Sequence, residues 1–253
     1  ATITGSSYSS ATILHLTMED GATIVDNPTD VCLTSSTTAW VPIAGDVFGG
    51  TAIKAVTGGM IGATHYTVAV GDFGKLAYST DDGVSFTLVN TGTSEHLTGV
   101  SYDSINERFL AVGNAFVMLS STTGTSWTLD TTTLLVANTD GNGDVTAVIW
   151  WPNELKWALA VTVTSTSKLN IVILNPDTTY NRQIAGYTLN TPVRLSLWTT
   201  ATTENLFVME NNNSTNYYVN AYSSNSVTSI GSSGGITNDI VAFEDSSNAW
   251  RWV

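Results

Sequence analysis

The chain has 253 residues, of which 42% are hydrophobic and only 11% are charged, and its 8 basic and 21 acidic residues give a formal net charge of −13. That length and apolar content can bury the core of a single domain, and the acidic balance argues against nucleic acid as a partner, because binding phosphates requires clustered Lys and Arg. Cys32 is the only cysteine, so the chain has neither an internal disulfide nor a cysteine-based metal site, and no apolar run approaches the length of a membrane span.

The composition predicts β-structure. About a quarter of the residues are Ser or Thr. Thr suits a pleated strand, whereas Ser, Asn, Asp and Gly suit turns, and the Lys, Glu, Arg and Gln typical of exposed helices are scarce. Low charge combined with many hydroxyl and amide side chains is typical of proteins outside the cell, including virion surface components. We therefore expect a virion or extracellular location.

The first elements in chain order are parts of a repeat. Residues 31–40 resemble the outer half of a repeating unit, and Thr51–Thr57 is predicted to be the inner strand of the next. Two segments then repeat with Gly71 and Gly113 42 residues apart, and with Phe86 and Trp127 41 residues apart. The matched strands are His65–Gly71, Lys75–Ser79 and Ser85–Leu88 in the first copy, and Arg108–Gly113, Phe116–Ser120 and Ser126–Leu129 in the second. The strand that precedes the second copy is Leu97–Tyr102.

Weaker copies follow these two. Residues 145–163 resemble the first two strands of a third unit, residues 193–222 a fourth, and residues 240–253 a fifth that stops half-way. Four short strands in about 40–50 residues is the pattern of a propeller blade. We predict an all-β fold, a single β-propeller domain over residues 1–253 with five to six four-stranded antiparallel blades, either complete or one module of a longer protein. Pairing of N- and C-terminal strands would close the ring and remove exposed sheet edges.

A turn in the first copy resembles a known motif. Four residues match every position of the Asp-box (BNR) pattern Ser-x-Asp-x-Gly-x-x-aromatic, namely Ser79, Asp81, Gly83 and Phe86. The strands around this turn resemble the BNR repeats of sialidase-type propellers and of photosystem II stability/assembly factors. The corresponding turn of the second copy keeps Gly124 and Trp127 but has no Asp.

We expect the Asp-box turn to stabilise the fold and not to form a functional site. Asp81 can accept hydrogen bonds from backbone N–H groups of its own turn, and Gly83 permits a positive φ. Phe86 and Trp127 are expected to pack between sheets. The resemblance implies that such turns lie at the blade periphery, away from the face that binds ligands.

The resemblance to sialidases also implies three arginines that clamp a carboxylate, a Tyr–Glu nucleophile pair and an acidic Asp. This sequence departs from that pattern. Arg194 is the only arginine at the start of a predicted inner strand, whereas Arg108 begins a second strand and Arg182 is expected in a loop. A sialidase is therefore disfavoured, while a glycosidase that uses two carboxylates stays open because carboxylates are present.

Metal-binding signals are sparse. His15, His65 and His96 lie far apart in the sequence and are expected to be structural or exposed. A calcium loop is suggested by the alternating oxygen side chains of Asp140, Asn142 and Asp144, but Val145 replaces the turn glycine and Trp151 stands where a bidentate Glu is needed. A solvated turn is favoured, calcium remains the alternative, and no other cofactor is expected.

Eight tryptophans raise the question of sugar binding. Trp150, Trp151 and Trp157 cluster in one unit, and adjacent residues on a strand point to opposite faces, so that one ring could be exposed. Packing between blades is the favoured interpretation. We predict a non-enzymatic structural or interaction propeller that joins other proteins in an oligomeric assembly such as a phage virion or tail. The alternatives are a lectin-like propeller that binds a cell-surface glycan and, third, a glycoside hydrolase.

Overall fold

The computed structural model describes residues 24–27, 30–33, 47–134, 143–163, 168–187, 193–199, 204–210, 215–219, 227–232, 242–244 and 250–252. The Cα positions divide the chain into two compact units, Ala1–Pro42 and Ile43–Val253. In the first unit, β1 (Ile24–Asn27) pairs antiparallel with β2 (Asp30–Leu33). Organisation as a single domain over residues 1–253 stays a prediction.

The described part of the second unit contains four antiparallel sheets of four strands, each strand pairing with the next in the chain. We call these sheets blades one to four. Blade one consists of β3 (Ile53–Ile61), β4 (Thr64–Gly71), β5 (Leu76–Ser79) and β6 (Thr87–Val89). Blade two consists of β7 (Leu97–Asp103), β8 (Arg108–Gly113), β9 (Met118–Ser121) and β10 (Thr128–Asp130).

The later sheets correspond to the weaker sequence copies. Blade three consists of β11 (Gly143–Trp151), β12 (Lys156–Val163), β13 (Lys168–Leu174) and β14 (Tyr180–Tyr187). Blade four consists of β15 (Val193–Thr199), β16 (Glu204–Glu210), β17 (Thr215–Val219) and β18 (Val227–Ser232). A final hairpin joins β19 (Ala242–Glu244) and β20 (Trp250–Trp252).

The predicted all-β fold with four-stranded antiparallel sheets is confirmed. Short 3-10 turns occur at Asp72–Gly74 and Asn114–Phe116, and no helix within the described ranges has the length and hydropathy to cross a membrane. Arg182 was expected in a loop, but it lies in β14, because the strand begins at Tyr180 directly after the β13–β14 turn. A total of five to six blades and ring closure stay predictions.

Neighbouring blades pack through their apolar faces. The first strands lie side by side in the order β3, β7, β11 and β15. Because side chains alternate between the two faces of a strand, each central blade can pack against both of its neighbours. One cluster joins blade one to blade two through Val68, Val70 and Leu76 on one side and Leu97, Val100 and Phe109 on the other. A second cluster joins blades two and three and contains Leu110, Phe116, Val145, Trp150, Trp157 and Leu159.

Candidate functional site

The β4–β5 turn of blade one places an aromatic ring in solvent. The backbone N–H of Lys75 donates to the carbonyl oxygen of Asp72 at 3.3 Å, and the two residues between them have positive φ, +59° at Phe73 and +69° at Gly74. This is the type I′ hairpin turn, which usually carries Asn or Gly because a Cβ is crowded at positive φ. The Phe73 side chain is 60% exposed.

The same turn geometry recurs between β8 and β9 in blade two. Val117 N–H donates to the carbonyl oxygen of Asn114 at 3.1 Å, and φ is +52° at Ala115 and +58° at Phe116. Phe116 is buried in the cluster between blades two and three, so packing explains its presence. Ala115 occupies the position of Phe73. The exposed ring is thus a feature of blade one and not of the repeat.

Two further side chains surround Phe73. The imidazole of His96 forms a hydrogen bond between its Nδ1 and Asp72 Oδ1 at 2.8 Å, and its ring centroid lies 5.0 Å from that of Phe73. Lys54 Nζ lies 3.4 Å from the same carboxylate oxygen. We call Lys54, Asp72, Phe73 and His96 the turn cluster. It presents an apolar ring, an imidazole and an ammonium group together at the junction of two blades.

Backbone hydrogen bonds fix the position of His96 in this cluster. Its carbonyl oxygen accepts the N–H of Asn114 at 2.9 Å, so His96 contacts blade two through its backbone and blade one through its side chain. The loop before His96 is tied to the β4–β5 turn, because the Thr91 hydroxyl donates to the carbonyl oxygen of Gly74 at 2.8 Å. The cluster is therefore built on ordered contacts between neighbouring blades.

The electrostatics of the cluster centre on Asp72. Partial burial raises the pKa of Asp72, but the hydrogen bonds from His96 and Lys54 and their charges outweigh this effect and hold the pKa below its ordinary value. The carboxylate thus stays ionised near neutral pH and orients both partners. With Nδ1 of His96 engaged by Asp72, Nε2 is the nitrogen that remains to meet a partner.

The turn that matches the Asp-box pattern lies between β5 and β6. Asp81 Oδ1 accepts the N–H of Ser85 at 2.9 Å, and Asp81 Oδ2 accepts the Ser85 hydroxyl at 2.6 Å. The Ser79 hydroxyl donates to Asp81 Oδ1 at 2.7 Å and accepts the N–H of Gly83 at 2.9 Å, where φ is +85°. Phe86 packs on the small cluster formed by Phe48, Ala69 and Ala77. All four matched residues therefore take part in local contacts.

The stability of this turn should depend on acid pH. Hydrogen bonds, first those from the Ser85 and Ser79 hydroxyls, lower the pKa of Asp81 to about 2. Because the unfolded chain titrates this group near pH ~3.9, the ionised carboxylate stabilises the fold fully above about pH 4, and that contribution is lost as the pH falls through about 2. We expect Asp81→Asn to be less stable than wild type at about pH 6, and the difference to shrink between about pH 4 and pH 2.

Denaturant unfolding of both proteins across that pH range checks the expectation. The matched control is Ser85→Ala, which removes the largest cause of the shift and should move the pH window upward. A difference between wild type and Asp81→Asn that stays constant from about pH 6 to pH 2 would contradict it.

The corresponding turn of blade two works without an aspartate. The Ser121 hydroxyl accepts the N–H of Gly124 at 2.8 Å, and Thr123 Oγ1 accepts the N–H of Ser126 at 3.0 Å. Thr123 therefore supplies, through a hydroxyl that the Asp-box pattern does not include, the acceptor that Asp81 supplies through its carboxylate in blade one. Trp127 Nε1 donates to the carbonyl oxygen of Gly124 at 3.1 Å, and its ring lies 6.2 Å from Phe109.

The other candidate residues are only partly brought together. Asp140 and Asn142 lie outside the described residues. The carboxylate of Asp144 accepts the N–H of Ala115 at 3.0 Å. Among the side chains that the structure describes, no group of three or more His, Cys, Asp or Glu is arranged to hold a metal ion. Calcium binding by residues 140–144 stays a prediction.

The histidines and tryptophans also have defined surroundings. His65 pairs with Asp82 at 2.9 Å on the surface, and His15 lies outside the described residues. Trp150, Trp151 and Trp157 are all buried, so neither ring of the Trp150–Trp151 pair is available to stack on a sugar. The sequence did not single out Phe73. The available signal was a bulky residue directly before the glycine of a predicted hairpin turn.

Four-stranded antiparallel sheets with adjacent first strands, together with similarity to solved propellers, define this chain as a β-propeller protein. Its sequence matches no protein-family profile and no curated protein. The chain is similar to the solved nidogen/laminin complex, with 12% identity and a TM-score of 0.50 over 67% of this chain and 61% of that one. It is similar to YCF48 bound to D1 peptide, with 13% identity and a TM-score of 0.52 over 80% of this chain and 68% of that one. It is also similar to Saccharomyces cerevisiae Sqt1, with 12% identity and a TM-score of 0.56 over 91% of this chain and 61% of that one. The chain spans less than two thirds of the length of the nidogen/laminin and Sqt1 chains. The Asp-box type stays a prediction.

Proposed function

We propose that this chain is a non-enzymatic interaction propeller that joins other proteins in a larger assembly, such as a phage virion or tail, at a virion or extracellular location. Three features support the proposal. The fold is shared with a protein solved in complex with a peptide. The composition is low in charge and rich in hydroxyl and amide groups. The turn cluster offers a recognition surface, and the exposed ring of Phe73 is the observation that carries the proposal.

The position of Phe73 is unfavourable to the isolated chain in two ways. A positive φ costs a residue with a Cβ about 1–2 kcal/mol relative to glycine. Its ring is also mostly in solvent, where an aromatic side chain contributes little to folding. The equivalent turn of blade two holds Ala115 and forms equally well. A strained, exposed aromatic residue is explained when a partner buries it.

The surroundings of Phe73 indicate the chemistry of that partner. A side chain that covers the ring should be apolar or aromatic, and a neighbouring carbonyl or carboxylate could accept a hydrogen bond from His96. The ammonium group of Lys54, 3.4 Å from the Asp72 carboxylate that balances its charge, adds a hydrogen-bond donor. The formal net charge of −13 favours encounter with partners whose surface is positive. A protein segment that carries an aromatic residue beside a backbone carbonyl, on a positively charged surface, meets all of these requirements.

The test is to replace Phe73 by glycine. We expect Phe73→Gly to raise the free energy of unfolding by about 0.5–1 kcal/mol, because relief of the positive-φ strain exceeds the entropy that glycine adds to the unfolded chain. We also expect this variant to lose its assembly partners. Ala115→Gly relieves the same strain in blade two and should keep them. Denaturant unfolding measures the first effect, and native mass spectrometry of protein purified from its source measures the second.

Three outcomes would count against the proposal. The wild-type protein could be a stable monomer without partners, or Phe73→Gly could keep the partners as well as Ala115→Gly does. A glycan array that gives strong binding, lost in Phe73→Gly alone, would favour the lectin-like alternative, in which the exposed ring stacks on a sugar.

A further inference from the structure

The hydrogen bond between His96 and Asp72 determines which nitrogen of the imidazole carries a proton. His96 Nδ1 lies 2.8 Å from Asp72 Oδ1. Partial burial raises the pKa of Asp72, but the hydrogen bonds from His96 and Lys54 hold it below its ordinary value, so the carboxylate is ionised at neutral pH. An ionised carboxylate only accepts hydrogen bonds, and Nδ1 therefore carries the proton. In the neutral ring, Nε2 is then bare and acts only as an acceptor.

A second proton reverses the role of Nε2. The imidazolium donates from both nitrogens, so Nδ1 keeps its bond to Asp72 while Nε2 becomes a donor. The His96 side chain is 41% exposed, so that a partner atom can approach the ring. A partner that presents a carbonyl oxygen at this point fits the imidazolium and not the neutral ring. Histidine is the side chain whose charge ordinarily changes between about pH 5 and pH 8.

The charges that face His96 from blade one are balanced before the second proton binds. Lys54 Nζ lies 3.4 Å from the same Asp72 oxygen that His96 meets, so one ammonium group and one carboxylate offset each other. Glu95, which is half-buried, is the other ionisable residue of the loop that carries His96. Within the turn cluster, the second proton therefore adds one positive charge that has no counter-charge of its own.

Blade two holds His96 through the backbone, independently of the charge on its ring. The carbonyl oxygen of His96 accepts the N–H of Asn114 at 2.9 Å. Asp144 approaches the same turn from blade three, and its carboxylate accepts the N–H of Ala115 at 3.0 Å. Neither bond involves the imidazole. Protonation therefore changes what the ring can bind while the loop stays in place.

The contact between His96 and Phe73 links this change to recognition. The two ring centroids lie 5.0 Å apart, with the ring planes at 48°. A cation within about 6 Å of an aromatic centroid is attracted by the ring, so the imidazolium should hold Phe73 more firmly than the neutral imidazole does. An apolar ring and a charged hydrogen-bond donor are thus offered together to one residue of a partner.

We propose that the turn cluster binds its partner with the imidazolium form of His96, which donates from Nε2 to a carbonyl oxygen beside the aromatic residue that covers Phe73. This inference rests on the proposed function, because it concerns the same surface. Binding should strengthen as the pH falls from about 8 to about 5.5. Long-range attraction predicts the opposite, since protonation of the three histidines makes this acidic chain less negative towards a positive partner.

A neutral probe separates these two effects. The dimethylamide of N-acetyl-phenylalanine presents an aromatic ring beside two carbonyl oxygens and has no group that titrates in this pH range. Titration of the full chain with this probe, followed by NMR, measures the dissociation constant at each pH. We expect the affinity to be about three- to tenfold higher at about pH 5.5 than at about pH 8, because a charged donor forms the stronger hydrogen bond.

Two variants distinguish His96 from the other described histidine. His96→Gln keeps an amide that can pair with Asp72 but does not titrate, and its affinity for the probe should be equal at both pH values. His65→Gln is the matched control, because it removes another His–Asp pair, the 2.9 Å contact between His65 and Asp82 on the surface. This control should keep the full dependence on pH.

Nitrogen NMR of the imidazole tests the same inference without a ligand. At about pH 8 the neutral His96 ring should carry its proton on Nδ1, and Nε2 should gain a proton as the pH falls. A neutral ring with its proton on Nε2 would overturn the proposal, because Nε2 would then donate at either pH.

The outcomes of the titration separate this inference from the proposed function. Equal affinity of the wild-type chain at both pH values, a dependence on pH that His96→Gln retains, or failure to bind the probe would each overturn the inference. The assembly experiment on Phe73→Gly would still decide the proposed function by itself. Binding of the probe that is as strong in Phe73→Gly as in wild type would count against both.

Discussion

Gly113→Ala is expected to destabilise the protein by about 1–3 kcal/mol, towards the upper end of the usual range for overpacking. A Cβ on Gly113 would lie 2.2 Å from the carbonyl oxygen of His96 and 3.1 Å from Leu97 Cα. These are backbone atoms, so no side-chain rotation relieves the clash. The φ of Gly113 is −165°, which any residue adopts, and the requirement for glycine is therefore one of space.

The same substitution should disturb the turn cluster. His96 must move to admit the methyl group, which breaks the hydrogen bond from the N–H of Asn114 and shifts the imidazole from Asp72. We expect weaker partner binding together with the loss of stability. Thermal unfolding measures the loss of stability. The NMR signals of the His96 ring report the displacement of the imidazole, which is the cause of the weaker partner binding.

Gly99→Ala is the matched control. A Cβ there would lie no closer than 3.4 Å to Val112 or Val148, which is an ordinary van der Waals distance. We expect a cost well below that of Gly113→Ala and an unchanged His96 ring. If Gly113→Ala were as stable as wild type, the close approach of the two chain segments would not be a constraint on this fold.

This glycine also explains why the repeat could be read from the sequence. Gly71 has the same neighbour in blade one, since its Cβ would lie 2.1 Å from the carbonyl oxygen of Ala52. One physical requirement, the close approach of the segment before an inner strand to the end of the second strand, therefore occurs in both of the matched copies, 42 residues apart. The alternation of apolar residues predicts the strands, and these two glycines mark the end of the second strand in each copy.

The functional surfaces could not be read in the same way, because they depend on contacts between distant segments. His96 was expected to be merely structural or exposed because its neighbours in sequence hold no matching residue. Its partner Asp72 lies 24 residues earlier in a different blade. Ile53 and Leu97 are both apolar residues at the start of an inner strand, yet Ile53 is 59% exposed and Leu97 is 0% exposed, because blade one packs on Leu97.

Two of the three clustered tryptophans, Trp150 and Trp157, lie in a junction between blades two and three, whereas Trp151 packs with Leu206 of blade four. Trp157 is fully buried, its ring lies 4.9 Å from that of Trp150 in an edge-on arrangement, and its Nε1 donates to the carbonyl oxygen of Pro176 at 3.3 Å. Leu110 of blade two and Leu159 of blade three belong to the same cluster. The Trp157 ring thus contributes to packing within blade three and also to packing between blades two and three.

Trp157→Ala is expected to reduce the free energy of unfolding by about 3–5 kcal/mol, because it empties the volume of a whole indole ring in this junction and removes one of the two hydrogen bonds to the carbonyl of Pro176, the other coming from Arg108 Nη1 at 2.9 Å. That loss is a large part of the ~5–15 kcal/mol that stabilises a typical domain. Denaturant unfolding followed by circular dichroism measures it. Trp157→Phe keeps most of the volume and should cost much less, which separates the cavity from the hydrogen bond.

The position of the junction adds a second expected effect of Trp157→Ala. In a chain of repeated sheets, stability depends on the interfaces between neighbours as well as on each sheet. Weakening the interface between blades two and three should therefore broaden the unfolding transition or divide it into two steps. Ile105→Ala, at an exposed turn, is the control and should change the free energy of unfolding by less than about 0.5 kcal/mol. A cost below about 1 kcal/mol for Trp157→Ala would show that the junction does not depend on this ring.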